Sequence, residues 1–183
     1  TEEGKAKLSK LVNFPLRAVE EGRLDRLVLV QSEPLMAVAG AAAKKKDGQT
    51  VSGDTGAWFK HDDGSLYVLL CDGMGAGALA ERESTLAVRL LEQFLRAGVR
   101  PENALRTLNS ALALRNDDSA GGFTTIDLLR VDLFTGEAGV YKYGAAPTYV
   151  KKGYSVSRIT GTALPAGLTA GEGVSPDVTR LQL

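Results

Sequence analysis

Apolar side chains recur at helical spacing in three stretches of this chain. Residues 5–27 carry them at mostly helical intervals interrupted by Pro15 and Gly22, which predicts a broken helical lead-in. Residues 79–97 and 101–115 each predict an amphipathic helix, the first ended by a glycine and the second begun by a proline. The pattern therefore predicts a helical start and, further along, two consecutive helices.

Strand candidates lie on both sides of the helix pair. Before it, residues 35–43 form a small-residue strand candidate, and residues 57–60 and 66–71 flank the turn sequence His61-Asp62-Asp63-Gly64. After the pair, a meander of four strands is predicted, at residues 123–133, 138–143, 148–151 and 154–159. Strands grouped before and after helices indicate an α+β fold with antiparallel sheets covered by helices.

The hairpin around this turn places two carboxylates opposite each other. If the turn is centred near Asp63, Asp54 and Asp72 lie equally far from it and face one another across the strands. Their Cβ atoms would be about 5 Å apart, and such a like-charge pair destabilises a sheet unless a cation lies between. Singly, an Asp beside a Gly is more often a turn or cap residue. As a facing pair, the two favour a site for Mg²⁺ or Mn²⁺.

Composition is typical of a compact catalytic module. The chain has 183 residues, 44% of them hydrophobic and 24% charged, enough for one sizeable core. Lys plus Arg and Asp plus Glu number 22 each, which gives no electrostatic footprint for nucleic acid. No apolar run approaches a membrane span and no signal-peptide pattern opens the chain, so we expect no membrane contact and a cytoplasmic location, although a longer parent could be anchored elsewhere. The one cysteine, Cys71, lies in an apolar run and is expected to be a buried hydrophobe rather than a nucleophile.

The glycines after Asp72 fit two kinds of site. Gly73-x-Gly75-x-x-Ala78, with Glu92 further on, matches a dinucleotide-binding fingerprint. That fingerprint needs a parallel strand after the helix, whereas a second helix follows here, and Asp72 would repel a pyrophosphate. We therefore expect the glycines to allow close approach of the backbone to a metal site, with the Gly73 carbonyl as a ligand.

The string Asp72-Gly73-Met74-Gly75-Ala76-Gly77, followed by Ala80 and Glu83-Ser84, resembles the signature of the metal-dependent Ser/Thr protein phosphatases, the PPM or type 2C family. The resemblance is to the bacterial branch typified by stage II sporulation protein E and covers residues 34–183. Four further segments match that branch: Val51-Ser52-Gly53-Asp54, Thr124-Thr125-Ile126-Asp127, Lys142-Tyr143-Gly144-Ala145-Ala146-Pro147 and Leu164-Pro165-Ala166-Gly167.

The resemblance implies a fold, a reaction and roles for three residues. The fold would be two stacked antiparallel sheets flanked by helix pairs, in a phosphatase domain of residues 34–183. Two Mn²⁺ or Mg²⁺ ions would activate a water that attacks a phosphoserine or phosphothreonine of a protein, such as an anti-sigma-factor antagonist. Asp72 would bridge both ions, Gly73 would offer its carbonyl and Asp54 would hold one ion. Residues 1–33 would be a regulatory helical segment that makes a docking or homodimer contact.

One feature of the family is missing from this sequence. Those phosphatases complete their metal centre with later Asp residues, one in an Asp-Gly pair at a strand end, and no Asp-Gly follows Asp72-Gly73 here. After Thr160 the only Asp is Asp177, at the start of the strand expected before the missing motif. We therefore expect a sheet cut short at the C-terminus, a weakly occupied site and little activity. The alternative is a catalytically silent regulatory or interaction module with the same fold.

The remaining candidates have weaker signals. His61 is expected to be a surface turn residue, far from both hairpin carboxylates. Asp117 and Asp118 follow a helix and are expected to be solvated loop residues rather than ligands. Asp127 lies in mid-strand without an explanation. The run Lys44-Lys45-Lys46 is read as a solvated turn, or alternatively as a phosphate-attracting patch.

Overall fold

The chain forms two compact units in this computed structural model, residues 1–36 and 37–183. The structure describes residues 2–19, 27–45, 47–48, 50–75, 77–116, 122–169 and 174–183. Within these described ranges, no helix is both long and apolar enough to cross a membrane.

The first unit is a helix followed by a small antiparallel ribbon. Its elements are α1 (Glu2–Val12), β1 (Leu16–Val19) and β2 (Val28–Gln31), with β1 and β2 paired. The prediction of helical structure over residues 5–27 was wrong for residues 13–19. Asn13 adopts a left-handed conformation with φ of 61°, and Pro15 cannot continue a helix, so the chain turns and enters a strand. Residues 20–26, which carry the end of the predicted helix, lie outside the described part.

The second unit is built on a five-stranded antiparallel sheet. Its strand order is β3-β4-β5-β6-β9. The strands are β3 (Asp54–Lys60), β4 (Ser65–Gly73), β5 (Thr124–Asp132), β6 (Glu137–Tyr143) and β9 (Asp177–Gln182). A separate two-stranded sheet pairs β7 (Thr148–Lys152) with β8 (Ser155–Ile159). The predicted hairpin and α+β class are thereby confirmed. The four strands predicted after the helices are present, but they do not form one meander, because β7 and β8 pair in a sheet of their own. The resemblance to the phosphatase fold is tested by the comparisons below.

The predicted strand at residues 35–43 is wrong. This segment is irregular, and Val38 is 85% exposed. Alanine and glycine dominate it, and they have little preference for strands because they offer no side chain to pack on a pleated surface.

Two helices cover one face of the five-stranded sheet. Helix α2 (Ala78–Arg96) ends at Gly98, whose φ of 79° suits glycine, and α3 (Pro101–Asn116) follows. The core between helices and sheet contains Leu91 and Leu95 of α2, Leu105, Leu108 and Leu112 of α3, and Tyr67, Leu69, Cys71, Ile126, Leu128, Tyr141 and Tyr143 of the sheet. On the opposite face, Trp58 and Leu70 are half exposed. The amphipathic helix predicted at residues 101–115 is therefore confirmed, with its apolar side on the sheet.

Candidate metal centre

The turn of the β3–β4 hairpin fixes the register that brings two carboxylates together. His61 N donates to Ser65 O over 2.8 Å, Gly64 N donates to His61 O, and the Asp63 carboxylate accepts from Ser65 N. Gly64 has φ of 82°, which favours glycine. The resulting register pairs Asp54 with Asp72, as predicted.

Neighbouring hydroxyl groups contact the side chain and backbone of Asp54 and the backbone of Asp72. Ser52 Oγ donates to Asp54 Oδ2 over 3.4 Å and accepts from Asp54 N over 3.2 Å. On the adjacent strand, Asp72 N donates to Thr125 Oγ1 over 3.2 Å, and Asp72 O accepts from Thr124 Oγ1 over 2.8 Å. The hydroxyls thus fix the backbone of both residues where β3, β4 and β5 meet.

The electrostatics of the pair suit a cation. Partial burial raises the pKa of Asp72, and the negative charge of Asp54 raises it further. Both side chains are exposed enough for an ion to reach them. A divalent ion between them would remove the repulsion that the fold builds in.

The glycines beside the pair are explained by packing. A Cβ on Gly73 would overlap the Ala80 carbonyl oxygen, because α2 begins directly against the end of β4. The expectation that these glycines let the backbone approach a metal is thereby corrected for Gly73: the close approach is to a helix. The Gly73 carbonyl oxygen nevertheless lies on the same side of Gly53 as an Asp72 carboxylate oxygen. A Cβ built on Gly53 would be 3.4 Å from Gly73 O and 3.8 Å from Asp72 Oδ1.

A cleft of about 480 Å³ surrounds the carboxylate pair. Besides Asp54 and Asp72 it is lined by Lys44, Lys45 and Asp47 from the segment that precedes β3. The sequence allowed two roles for those lysines, a solvated turn or a phosphate-attracting patch. The structure places Lys44 and Lys45 in the same cleft as the carboxylates. Across the described ranges no group of three or more His, Cys, Asp or Glu side chains forms a metal cluster.

Other sequence candidates lie away from this pair. His61 lies at the turn end of the hairpin, as predicted, with Nε2 3.3 Å from Arg96 O. Cys71 is completely buried, and burial raises the pKa of its thiol to about 12, which excludes a thiolate nucleophile at neutral pH. Asp177 begins β9, as predicted, and accepts hydrogen bonds from two backbone amides. Asp117 and Asp118 lie outside the described residues.

Asp127, unexplained in the sequence, belongs to a buried charge cluster. Its Oδ2 accepts from Lys142 Nζ over 2.7 Å and from Thr148 Oγ1 over 2.6 Å. Lys142 is only 1% exposed and also donates to Ala146 O over 2.7 Å. The sequence signal that could have indicated this cluster is the position of Lys142 between two inward-facing tyrosines of β6. Because β6 is buried on both faces, its lysine side chain is not solvated and needs a buried partner.

A second ion pair, between a buried glutamate and an exposed arginine, also escaped the sequence reasoning. Glu83 of α2, 5% exposed, receives two hydrogen bonds from the Arg115 guanidinium of α3, at 3.1 and 3.2 Å. On the next position, Ser84 Oγ lies 2.8 Å from Thr55 Oγ1 of β3. These contacts tie α2 to α3 and to the strand that carries Asp54.

The alternative dinucleotide site is ruled out by topology. Strands β4 and β5 are antiparallel, and α2 leads into α3 rather than into a parallel strand. The dinucleotide fingerprint requires a parallel βαβ unit.

Comparison with known proteins agrees with the fold. The family model of stage II sporulation protein E (SpoIIE) matches residues 62–183. The stage II sporulation protein E of Priestia megaterium is 35% identical over 129 residues, which is 70% of this chain and 22% of that protein. The Bacillus subtilis protein is also 35% identical over 129 residues, which is 15% of its length. The chain thus spans less than a quarter of either relative.

Solved structures show the same architecture. The PP2C phosphatase domain of Bacillus subtilis SpoIIE, solved with a fragment of its regulatory domain, superposes with a TM-score of 0.77 at 26% identity, over 100% of this chain and 55% of that one. RsbX in complex with magnesium matches with a TM-score of 0.62 at 16% identity, over 91% of this chain and 72% of that one, which supports the fold alone. The chain therefore belongs to the stage II sporulation protein E family, a branch of the metal-dependent PPM-type phosphatases.

Proposed function

We propose that this chain is a phosphatase domain that removes phosphate from a phosphoserine or phosphothreonine of a protein. Asp54, Asp72 and the Gly73 carbonyl would hold Mn²⁺ or Mg²⁺, two ions in an intact domain. The observation that carries the proposal is the pairing of Asp54 with Asp72, whose mutual repulsion contributes to the raised pKa of Asp72. Membership of a metal-dependent phosphatase family supports it.

The surrounding residues have defined tasks in this proposal. Bound ions would supply a water activated for attack on phosphorus. Ser52 orients the Asp54 carboxylate, while Thr124 and Thr125 fix the backbone of Asp72. These contacts orient the Asp54 carboxylate and fix the backbone of Asp72 before an ion arrives.

Lys44 and Lys45 would attract the phosphoryl group. A phosphoserine dianion that enters this cleft meets three carboxylates, those of Asp47, Asp54 and Asp72, and the two lysines offset two of these negative charges. We therefore infer the phosphate-attracting role for the lysine run rather than the solvated-turn role. Exchanging both lysines for alanine should weaken substrate binding more than turnover.

A catalytically silent module is the second candidate. It is favoured by one observation: no third metal-binding side chain joins the two carboxylates among the described residues. Mg²⁺ and Mn²⁺ hold best in near-octahedral sets of oxygen ligands, so two carboxylates would leave most positions to water. Phosphate release separates the candidates, because a silent module releases none even when its site binds the ion.

The physiological setting is also a proposal. An anti-sigma-factor antagonist is the substrate we carry over from the resembling branch, and a cytoplasmic location follows from that substrate. The first unit would make a docking or homodimer contact, since α1 exposes Leu8, Leu11 and Val12. Light scattering that finds the same mass with and without residues 1–22 would argue against the homodimer.

Metal-dependent stabilisation tests the site. An ion at about 100 times its dissociation constant stabilises the folded chain by about 2.7 kcal/mol. For a chain of this size that raises the melting temperature by roughly 5–11 °C. We expect Mn²⁺ to produce this rise in the wild type and in the Asp62→Asn control, whose side chain lies in the exposed hairpin turn, and to produce none in Asp72→Asn.

Activity tests the reaction separately. The chain and a longer form of its parent should both be assayed on a phosphoserine peptide with millimolar Mn²⁺. If Asp72→Asn and the wild type melt alike with metal, the site is wrong. If the site binds metal but the longer form releases no phosphate, the silent module is correct.

A further inference from the structure

A second cleft lies at the opposite end of the sheet from the carboxylate pair. It has a volume of about 630 Å³ and lies between the start of α3 and the turn end of the β3–β4 hairpin. Tyr67 and Tyr141, both buried, are among the residues that line it. Tyr67 and Asp72 are separated by five positions of β4, about 17 Å, and point to opposite faces because strand side chains alternate. The cleft is therefore separate from the candidate metal centre.

The lining of this arginine cleft is strongly cationic. Four arginines line it, namely Arg100, Arg106, Arg130 and Arg180, against the two carboxylates of Asp63 and Glu102. The chain as a whole has a formal net charge of zero, so this excess is a local concentration of positive charge. The Tyr67 and Tyr141 hydroxyls add no negative charge, because burial raises the pKa of both.

Part of this charge is already neutralised. Arg180 Nη2 lies 3.1 Å from Glu102 Oε1, and Tyr141 donates to the same oxygen over 3.4 Å. Arg130 Nη2 lies 3.9 Å from Asp132 Oδ2, and Arg130 Nε donates to Ser65 Oγ over 3.1 Å. These contacts hold the two arginines of the sheet in place on one wall of the cleft.

The two arginines at the start of α3 are in a different situation. Arg106 Nη2 donates to the neutral Asn103 side chain over 2.8 Å. In the part of the chain that the structure describes, neither Arg100 nor Arg106 has a carboxylate partner. Both are exposed at the mouth of the cleft, where a ligand can reach them.

We propose that the arginine cleft binds a small molecule that carries a diphosphate group. A planar guanidinium donates two parallel hydrogen bonds to phosphate oxygens. A phosphate offers three oxygens and can therefore engage two arginines at once, whereas a carboxylate offers two. The volume lies within the range of small-molecule sites and exceeds what a single phosphate fills. Inorganic pyrophosphate is the minimal probe.

Calorimetric titration of pyrophosphate into the full chain, at low salt with EDTA present, tests the proposal. We expect a dissociation constant below about 1 mM. Arg100→Ala/Arg106→Ala should raise it about tenfold or more, because two charge-assisted contacts are lost. The control Arg82→Ala/Arg89→Ala removes two arginines of α2 that do not line the cleft and should leave the constant unchanged. Lys44→Ala/Lys45→Ala should also leave it unchanged, which separates this site from the candidate metal centre.

Several results would overturn the proposal. The first is the absence of saturable binding at 10 mM pyrophosphate, a concentration at about the floor for a specific weak ligand. The second is a loss of pyrophosphate affinity in the α2 control equal to that in the Arg100/Arg106 variant. The third is a loss of affinity confined to the lysine variant. Malonate, a dicarboxylate, should bind more weakly than pyrophosphate; equal affinity would show that the cleft recognises charge alone and would refute the diphosphate assignment. Independently of any variant, pyrophosphate should shift the NMR signals of the Arg100 and Arg106 Nε–H groups. If those signals stay fixed while pyrophosphate binds, the ligand lies elsewhere and the proposal fails.

Discussion

Removing the carboxylate of Asp127 should destabilise the chain more than breaking any exposed ion pair. Lys142 Nζ is held by Asp127 Oδ2 at 2.7 Å and by Ala146 O at 2.7 Å, and its side chain is 1% exposed. In Asp127→Ala the ammonium group stays buried, loses its ion-pair partner and keeps the Ala146 carbonyl as a hydrogen-bond partner, with Asp177 of β9 as its cross-strand neighbour. Such a change costs about 3–5 kcal/mol, and we expect the lower end because Asp127 itself is 22% exposed.

Urea unfolding and thermal melts measure this cost. A loss of about 3 kcal/mol corresponds to a fall of roughly 6–12 °C in the melting temperature of a chain of this size. The control is Glu92→Ala, which removes the partner of the exposed Arg96 at 2.8 Å and should cost about 0.3–0.5 kcal/mol. Both variants should be measured without metal, so that any effect on the carboxylate pair does not enter.

A double variant tests the reason for the loss. Asp127→Ala/Lys142→Met removes both charges and should recover most of the stability, because replacing a buried pair by apolar groups is often neutral. Single and double variants of equal stability would show that the buried charge is not the cause. A single variant no worse than Glu92→Ala would show that the cluster contributes nothing.

Three further changes test other parts of the structure. Cys71, with a pKa of about 12, should not react with a thiol reagent at pH 8 until the chain unfolds. Because the pKa of Cys71 is higher in the folded than in the unfolded chain, the free energy of unfolding should fall as pH rises above about 8.5. Cys71→Ala should remove that fall. Gly73→Ala should cost at least about 2 kcal/mol because a Cβ overlaps Ala80, whereas Gly40→Ala, with open space around it, should change stability by less than about 0.5 kcal/mol; equal effects would contradict the packing account. With two carboxylates paired at the site and water left to fill the other metal positions, this chain should release phosphate slowly even in millimolar Mn²⁺, and robust turnover would show that two carboxylates suffice.

The elements that sequence predicted well are those with local signals. A turn-forming sequence between two apolar runs fixed the β3–β4 register, and helical spacing with Gly98 and Pro101 located α2 and α3. The failures lie where local pattern and tertiary context disagree. The apolar spacing of residues 16–19 suits a helix, yet these residues pair with β2, and residues 35–43 have no partner strand to pair with.

The candidate site divides in the same way. The facing of Asp54 and Asp72 follows from one hairpin, so the sequence alone was enough to predict it. Asp127 and Lys142 likewise face each other across one hairpin, β5–β6, so the same spacing argument could have paired them. Glu83 and Arg115 lie on different helices, 32 positions apart, and no turn signal specifies their geometry. Predicting the arginine cleft requires the most knowledge of the topology, because its charged residues come from α3, the β3–β4 hairpin turn and β9, which are far apart in sequence. A site formed within one hairpin can thus be proposed from spacing, whereas a site formed by several elements becomes visible only when the topology is known.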